Sequence, residues 1–339
     1  MNFLLLKVLS LHLIISIANH KILLTVKKIF FCLLTLSLGV LMNSCNVKSQ
    51  ESNVTTKLNN KKDSLSYILG ATKAKSIIKS GVKVFENLDK TQIINGFNAK
   101  VETYSPDSCL LILKKLFGEN YQDFNKTYAK EGSLWMGKMT RYAFQSDMVR
   151  LGANDQINYD LVKKGFADGL NSKDGFLSDD VMRMTIQKFM IGLNEKNGAN
   201  MMAKAKQIKG AQIFDNGVVI ETLIEGSGPM PGLSDDVKVH YILTSAIGDT
   251  IQNSYKMPNK ENIIEPVALS LNGGVVPGWS FAIPKMKVGG TYRLYLPWKL
   301  AYGEQQGRES LCFVVELIAR GKSGSFTAVM ENKPEVKNN

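Results

Sequence analysis

The stretch from Val275 to Gly303, VVPGWSFAIPKMKVGGTYRLYLPWKLAYG, leaves this chain fewer choices than any other. Pro277-Gly278 is a turn signal, so Trp279 is delivered by a tight bend rather than from mid-strand. A short apolar turn leads to a Gly289-Gly290 hinge. A run with β-type alternation then ends at Pro297, and an exposed Ala301-Tyr302-Gly303 follows. A lone Trp in such a place is ordinarily core. This one has company on both sides.

Upstream, Asp215-Asn216-Gly217 is a hairpin turn signal flanked by Gln212–Phe214 and Val218–Ile224. Then come GSGPMPG, a strand VKVHYIL with Val237, Val239, Tyr241 and Leu243 on one face, a Gly248-Asp249 turn and a strand-like PVALSL. LCFVVELIAR closes the region. Several short strands around one short helix after Trp279 predict an antiparallel α+β domain of about a hundred residues.

The chain before it reads as helix. Asp89 is placed to cap a helix with Ile93, Phe97 and Val101 on one face. Ser105-Pro106 marks another start, with Leu110, Leu113 and Phe117 behind it. The plan then recurs: Gly96-Phe97 and Gly165-Phe166 lie 69 residues apart, and Ser178-Asp179-Asp180 parallels Ser105-Pro106-Asp107. We read a degenerate tandem repeat of a small helical unit. The second unit continues through Met190, Leu193, Met201, Met202 and Ile208 as a long helix, with a break expected near Asn197-Gly198. Its methionines fit core positions at helical spacing, or a soft surface for unfolded clients. With no paired carboxylates, P-loop or nucleophile motif, these units are packing and association devices.

The 339 residues leave room for two or three domains. Residues 1–44 carry four lysines and no acid, so only +8 of the net +12 belongs to the rest, scattered in ones and twos. No basic stripe with interleaved aromatics exists, which argues against nucleic acid as a partner. Beyond the leader only His240 remains among histidines, so a histidine-based metal site is not expected. Cys109 and Cys312 are the cysteines of the body; nothing in their spacing supports a disulfide between them. Lys27-Lys28 and IFFCLLTLSLGVLMNSC have the layout of a secretory signal, and Met42–Cys45 resembles a bacterial lipobox. Cys45 would then be lipidated, and the polar residues after it would be a tether. An uncleaved membrane anchor is the alternative, and the first apolar stretch suggests true initiation near Val26.

Read in series, V-x-V-x-Y, G-D-T, V-V-P-G-W, M-x-V-G-G, P-x-x-L-A-Y-G and F-x-V-E-L make residues 210–321 resemble an FKBP-type peptidyl-prolyl isomerase domain. The two-part plan is similar to the macrophage infectivity potentiator group, in which a helical domain dimerises and a long helix carries the catalytic domain. The resemblance implies a half-barrel wrapped on a short helix, with Trp279 as the floor of a prolyl pocket. Tyr241, Val275, Val276 and Phe313 would be walls, Val267 the rim, and Tyr302 a hydroxyl donor; the Val276 amide would be a second donor. Ile251 stands where the family has Phe, and Gln252 where it has Asp. The polar segment Glu304–Ser310 is short, without the family's apolar tip. The expected organisation is a leader (1–44), a tether (45–62), helical units at 63–132 and 133–209, the isomerase-like domain (210–321) and a disordered tail (322–339). The expected function is isomerisation of X–Pro bonds in envelope proteins without a cofactor, or a weakly catalytic binding module for unfolded segments. Expected partners are proline-containing or unfolded polypeptides and a membrane reached through lipidated Cys45. The helical units would form either a homodimer or an internal pseudo-dimer, in a bacterial envelope and facing the periplasm.

Overall fold

A computed structural model describes residues 61–79, 88–100, 111, 115, 126–171, 178–259 and 262–326. The leader with Cys32 and Cys45, the tether up to residue 60, the Ser105-Pro106 start with Leu110, Leu113 and Phe117, Cys109, and the tail beyond 326 lie outside the described residues. The described residues form two compact units, divided between Ile186 and Gln187.

In the first unit α1 (Lys61–Lys79), α2 (Lys90–Asn98), α3 (Ala129–Arg150) and α4 (Tyr159–Leu170) pair crosswise: α1 packs on α4, and α2 on α3. Glycines set both crossings. A Cβ on Gly70 would lie 2.0 Å from Val162 O, and one on Gly165 2.0 Å from Tyr67 O. At the other crossing, Gly96 and Gly137 face Leu134 O and Ile93 O in the same way, at 1.9 and 2.0 Å. Only a residue without a side chain lets two helix backbones come this close.

The caps repeat the plan. Asp89 caps α2 by accepting from Gln92 N, and Asn158 caps α4 by accepting from Asp160 N. Each cap residue gives its own amide to a buried serine of the partner helix. Asp89 N donates to Ser133 Oγ and Asn158 N to Ser66 Oγ, both at 2.9 Å. Both serines bond back to the carbonyl four residues earlier, Ala129 O and Lys62 O. Where the halves meet, Phe97 and Phe166 stack with centroids 3.8 Å apart and planes 6° apart. The helical unit is thus two copies of a helix pair, interlocked. The expected boundary at 132/133 falls inside α3, because Gly132 and Ser133 continue its buried face. The first helix begins at Lys61, so it takes in the last two residues of the expected tether.

The long helix α5 (Asp179–Ala205) starts behind Ser178, whose Oγ accepts from Val181 N. It runs through Asn197-Gly198 without the expected break. Its second half belongs to the second unit, where Met201, Met202 and Ala205 pack on Val219, Tyr295 and Cys312. These methionines are core; Met184 is exposed.

The second unit holds an antiparallel sheet in the order β1-β2-β6-β7-β3-β4, with β5 also paired to β3. Its strands are β1 (Gln212–Ile213), β2 (Val219–Ile224), β3 (Asp236–Ser245), β4 (Thr250–Asn253), β5 (Val267–Ser270), β6 (Thr291–Leu296) and β7 (Leu311–Gly321). The hairpin at Asp215-Asn216-Gly217 forms, with Phe214 N donating to Val218 O. Alternation puts Val237, Val239 and Leu243 of β3, Tyr292, Leu294 and Leu296 of β6, and Leu311, Phe313, Val315 and Leu317 of β7 on one buried face. That face wraps the short helix α6 (Pro277–Ala282), which contributes Trp279 and Ala282 to the core. Residues 322–326 are ordered rather than tail-like: Gly324 N donates to Asp236 Oδ2 at 2.7 Å, giving that buried carboxylate a donor.

Candidate active site

Pro277 presets φ for the first turn of α6, and Val276 precedes it as the N-cap with extended backbone. The Val276 amide therefore lies outside the helix's own ladder. A Cβ on Gly278 would lie 2.6 Å from Leu296 Cδ1, so glycine lets α6 press onto the sheet. Trp279 is then turned into the concave face, 3 % exposed.

Three aromatic rings meet there. The Trp279 ring lies 5.5 Å from Tyr241 and 5.1 Å from Phe313, both edge-on, and Tyr241 and Phe313 are 6.4 Å apart. Edge-to-face contact is the favoured packing of such rings. The Trp279 indole N–H is buried and has no hydrogen-bond partner among the described residues. Val275 and Val276 pack beside the cluster, half-buried.

The strand register explains which other residues face it. Leu243 pairs with Gln252 on one side and Phe313 on the other, and Phe313 pairs with Leu294. Paired residues share a face, so Gln252 ends a row that runs through Leu243 and Phe313. Its Nε2 donates to Met257 Sδ at 3.5 Å. Between Gln252 and Thr250 the register slips, and Ile251 is the extra, bulged residue. Ile251 is accordingly 52 % exposed. Val267 pairs with Val239 at the start of β5, on the same face.

Tyr302 stands at the start of a one-turn 3-10 segment, Gly303–Gln306, and is 39 % exposed. Among the described residues nothing hydrogen-bonds its hydroxyl. Burial pushes its pKa above the usual 10.0. Tyr241 is raised too, by burial first and then by Tyr302. The structure thus brings Trp279, Tyr241, Phe313, Val275 and Val276 together, with Gln252 in the row through Leu243 and Phe313 and Tyr302 at the start of the turn that follows Ala301.

Sequence reasoning weighed His240 only as a metal ligand and passed over Ser254. Ser254 is fully buried; its Oγ accepts from Tyr241 N at 2.7 Å and lies 3.1 Å from His240 Nδ1. It pins the strand at Tyr241, whose ring meets Trp279. No motif signals such a role. The Cys312 thiol is pushed up to about 11 by burial, which makes it a poor nucleophile. Among the described residues no group of His, Cys, Asp or Glu could hold a metal, and no helix is long and apolar enough to cross a membrane.

Comparison with known proteins gives the arrangement a context. Residues 228–318 match the family model described as FKBP-type peptidyl-prolyl cis-trans isomerase. The chain is 28% identical over 183 residues to the FKBP-type peptidyl-prolyl cis-trans isomerase FkpA of Aeromonas hydrophila, covering 48% of this chain and 65% of that one. It therefore spans less than two thirds of that relative's length. It is 28% identical over 204 residues to the outer membrane protein MIP of Legionella longbeachae, covering 54% of this chain and 84% of the relative. Among solved structures, FkpA from Escherichia coli aligns over 57% of this chain and 96% of its own, at 28% identity and a TM-score of 0.35.

Proposed function

We propose that this chain, whose residues 228–318 belong to the FKBP-type peptidyl-prolyl cis-trans isomerases, accelerates rotation about X–Pro bonds in the aromatic pocket floored by Trp279. The observation that carries the reading is the meeting of Trp279, Tyr241 and Phe313 on the concave face inside the matched segment.

The reaction forms and breaks no covalent bond. Its obstacle is amide resonance, a barrier of about 18–20 kcal/mol. A twisted amide has lost that resonance and much of its dipole, so an apolar, water-poor slot favours it over the planar form. The prolyl ring lies on Trp279 between Tyr241 and Phe313. The Tyr302 hydroxyl and the Val276 amide hold flanking carbonyls while the ring turns. Lowering the barrier by about 4 kcal/mol would give roughly a thousandfold acceleration. No general acid or base is needed.

A second reading has its own support. Ile251, Met257, Ile263 and Ile264, each close to half exposed, crowd the segment from β4 to β5. Such a surface suits a binding module for unfolded, proline-containing segments in which catalysis is vestigial. A protease-coupled proline-peptide assay separates the two, with Trp279→Leu and Tyr302→Phe as controls. Acceleration lost in the Trp279 variant supports the enzyme. Suppression of aggregation without any acceleration supports the module.

The lipobox-like Met42–Cys45 and the relative named as an outer membrane protein support a lipid-anchored protein of a bacterial envelope, facing the periplasm. Loss of labelled palmitate in Cys45→Ser tests the anchor. The interlocked helix pairs support an internal pseudo-dimer over a homodimer.

A further inference from the structure

The segment after Tyr302 is fastened to α5. Its turn is closed by Gly307 N to Glu304 O (3.1 Å) and Arg308 N to Gly303 O (3.2 Å). Gly307 at φ 63° and Arg308 at φ 59° are both left-handed. Glycine adopts this freely, whereas arginine is held there against its backbone preference.

The side chain shows what holds it. Arg308 Nη1 lies 2.8 Å from Glu195 Oε1 on α5, and Arg308 Nε lies 2.8 Å from Glu304 Oε2. The guanidinium also sits 5.3 Å from the Trp298 ring centroid. Beside Glu195, Asn194 Nδ2 donates to Gly307 O at 2.9 Å. One turn further along α5, Gly198 meets Ser310, whose Oγ accepts from Trp298 N. A Cβ on Gly198 would come within 2.5 Å of Ser310 Oγ. The glycine expected to break the helix is therefore the place where the helix meets this segment.

We propose that the second half of α5 is a positioning element of the isomerase site, with Asn194, Glu195 and Arg308 locking the Gly303–Arg308 turn and so aiming the Tyr302 hydroxyl. The need for it is physical. Tyr302 is partly exposed, and its hydroxyl has no bond of its own among the described residues. Without a fixed turn the donor would sample many orientations, and misplaced donors stabilise a transition state poorly. The catalytic part of this inference rests on the isomerase reading of the pocket; the fastening does not.

The test uses the full chain labelled with 3-fluorotyrosine, the Tyr302 fluorine line being assigned by its loss in Tyr302→Phe. Arg308→Gly removes both ion pairs and also the backbone strain, so the fold survives. Its Tyr302 line should shift or broaden, and kcat/KM should fall about fivefold, mainly in kcat. Glu195→Gln should move the line in the same sense. Arg308→Lys, which keeps the charge, should stay nearer the parent chain. An unchanged Tyr302 line in both Arg308→Gly and Glu195→Gln overturns the fastening, whatever the activity. A moved line with undiminished kcat/KM in an active enzyme overturns the positioning role. If the parent chain fails to accelerate proline peptides, the isomerase reading falls and the fluorine line still decides whether the turn is held from α5.

Discussion

Tyr302 and Tyr241 have phenols raised above their usual 10.0, chiefly by burial. A hydroxyl that stays protonated stays a donor, so kcat/KM measured on a proline peptide should be flat from about pH 6 to pH 9. The sign for stability follows from the same shifts. Unfolded phenols lose protons near 10.0 and the folded ones later, so their contribution is intact below that pH. It is lost as pH rises through the raised folded values, and denaturant midpoints should drop there. A fall in kcat/KM already near neutral pH would mean that another group titrates in the mechanism. Gln252 allows a test in the other direction. It ends the row through Leu243 and Phe313, and under the proposed mechanism a carboxylate there would add its field to the twisting amide. Gln252→Asp should raise kcat/KM by a few fold, about 1 kcal/mol in barrier. An unchanged or lower value would show that the field there is not limiting.

Among the elements, strands were the most legible in the chain. Period-two alternation in VKVHYIL predicts both the element and its inward face, and TYRLYL and LCFVVELIAR read as strands without their faces being assigned. The Asp89 cap and the Asp215–Gly217 turn were equally readable, because their chemistry is local. The bulge at Ile251 was not, since a register slip depends on the facing strand. The course of α5 was misread for a related reason. A glycine in a helix signals a break only when nothing packs on it, and Gly198 has Ser310 against it. The crosswise helix pairing was hidden too: the repeat showed two copies of one unit but not which helices would touch. It carries its own prediction. Gly165→Ala places a methyl on the Tyr67 carbonyl and should destabilise the helical unit by about 3 kcal/mol. Ser66→Ala, which orphans the Asn158 amide, should cost about 1–3 kcal/mol. Thermal unfolding followed by helical circular dichroism measures both, and a Gly165→Ala chain as stable as its parent would deny the close crossing.

At the scale of the whole molecule, duplication changes what the helical unit can offer a second chain. A single helix pair would present two unfilled positions, one for a glycine-lined helix and one for a serine that receives the neighbour's cap amide. Here every such position is filled from within. Ser66 serves Asn158, Ser133 serves Asp89, Gly70 and Gly165 form one crossing, and Gly96 and Gly137 form the other. Phe97 and Phe166 then close the seam between the two halves. Pairing the same helices between chains would make identical contacts. It would also forfeit translational freedom, which intramolecular pairing leaves intact at a high effective concentration. Light scattering of the chain from Asn46 onward should therefore report a monomer at micromolar concentration, bearing one isomerase domain. Ser66→Ala and Ser133→Ala should weaken it without changing its mass. A dimer that dissociates on dilution would show that the pairs exchange between chains, and that the duplicated unit serves association instead of replacing it.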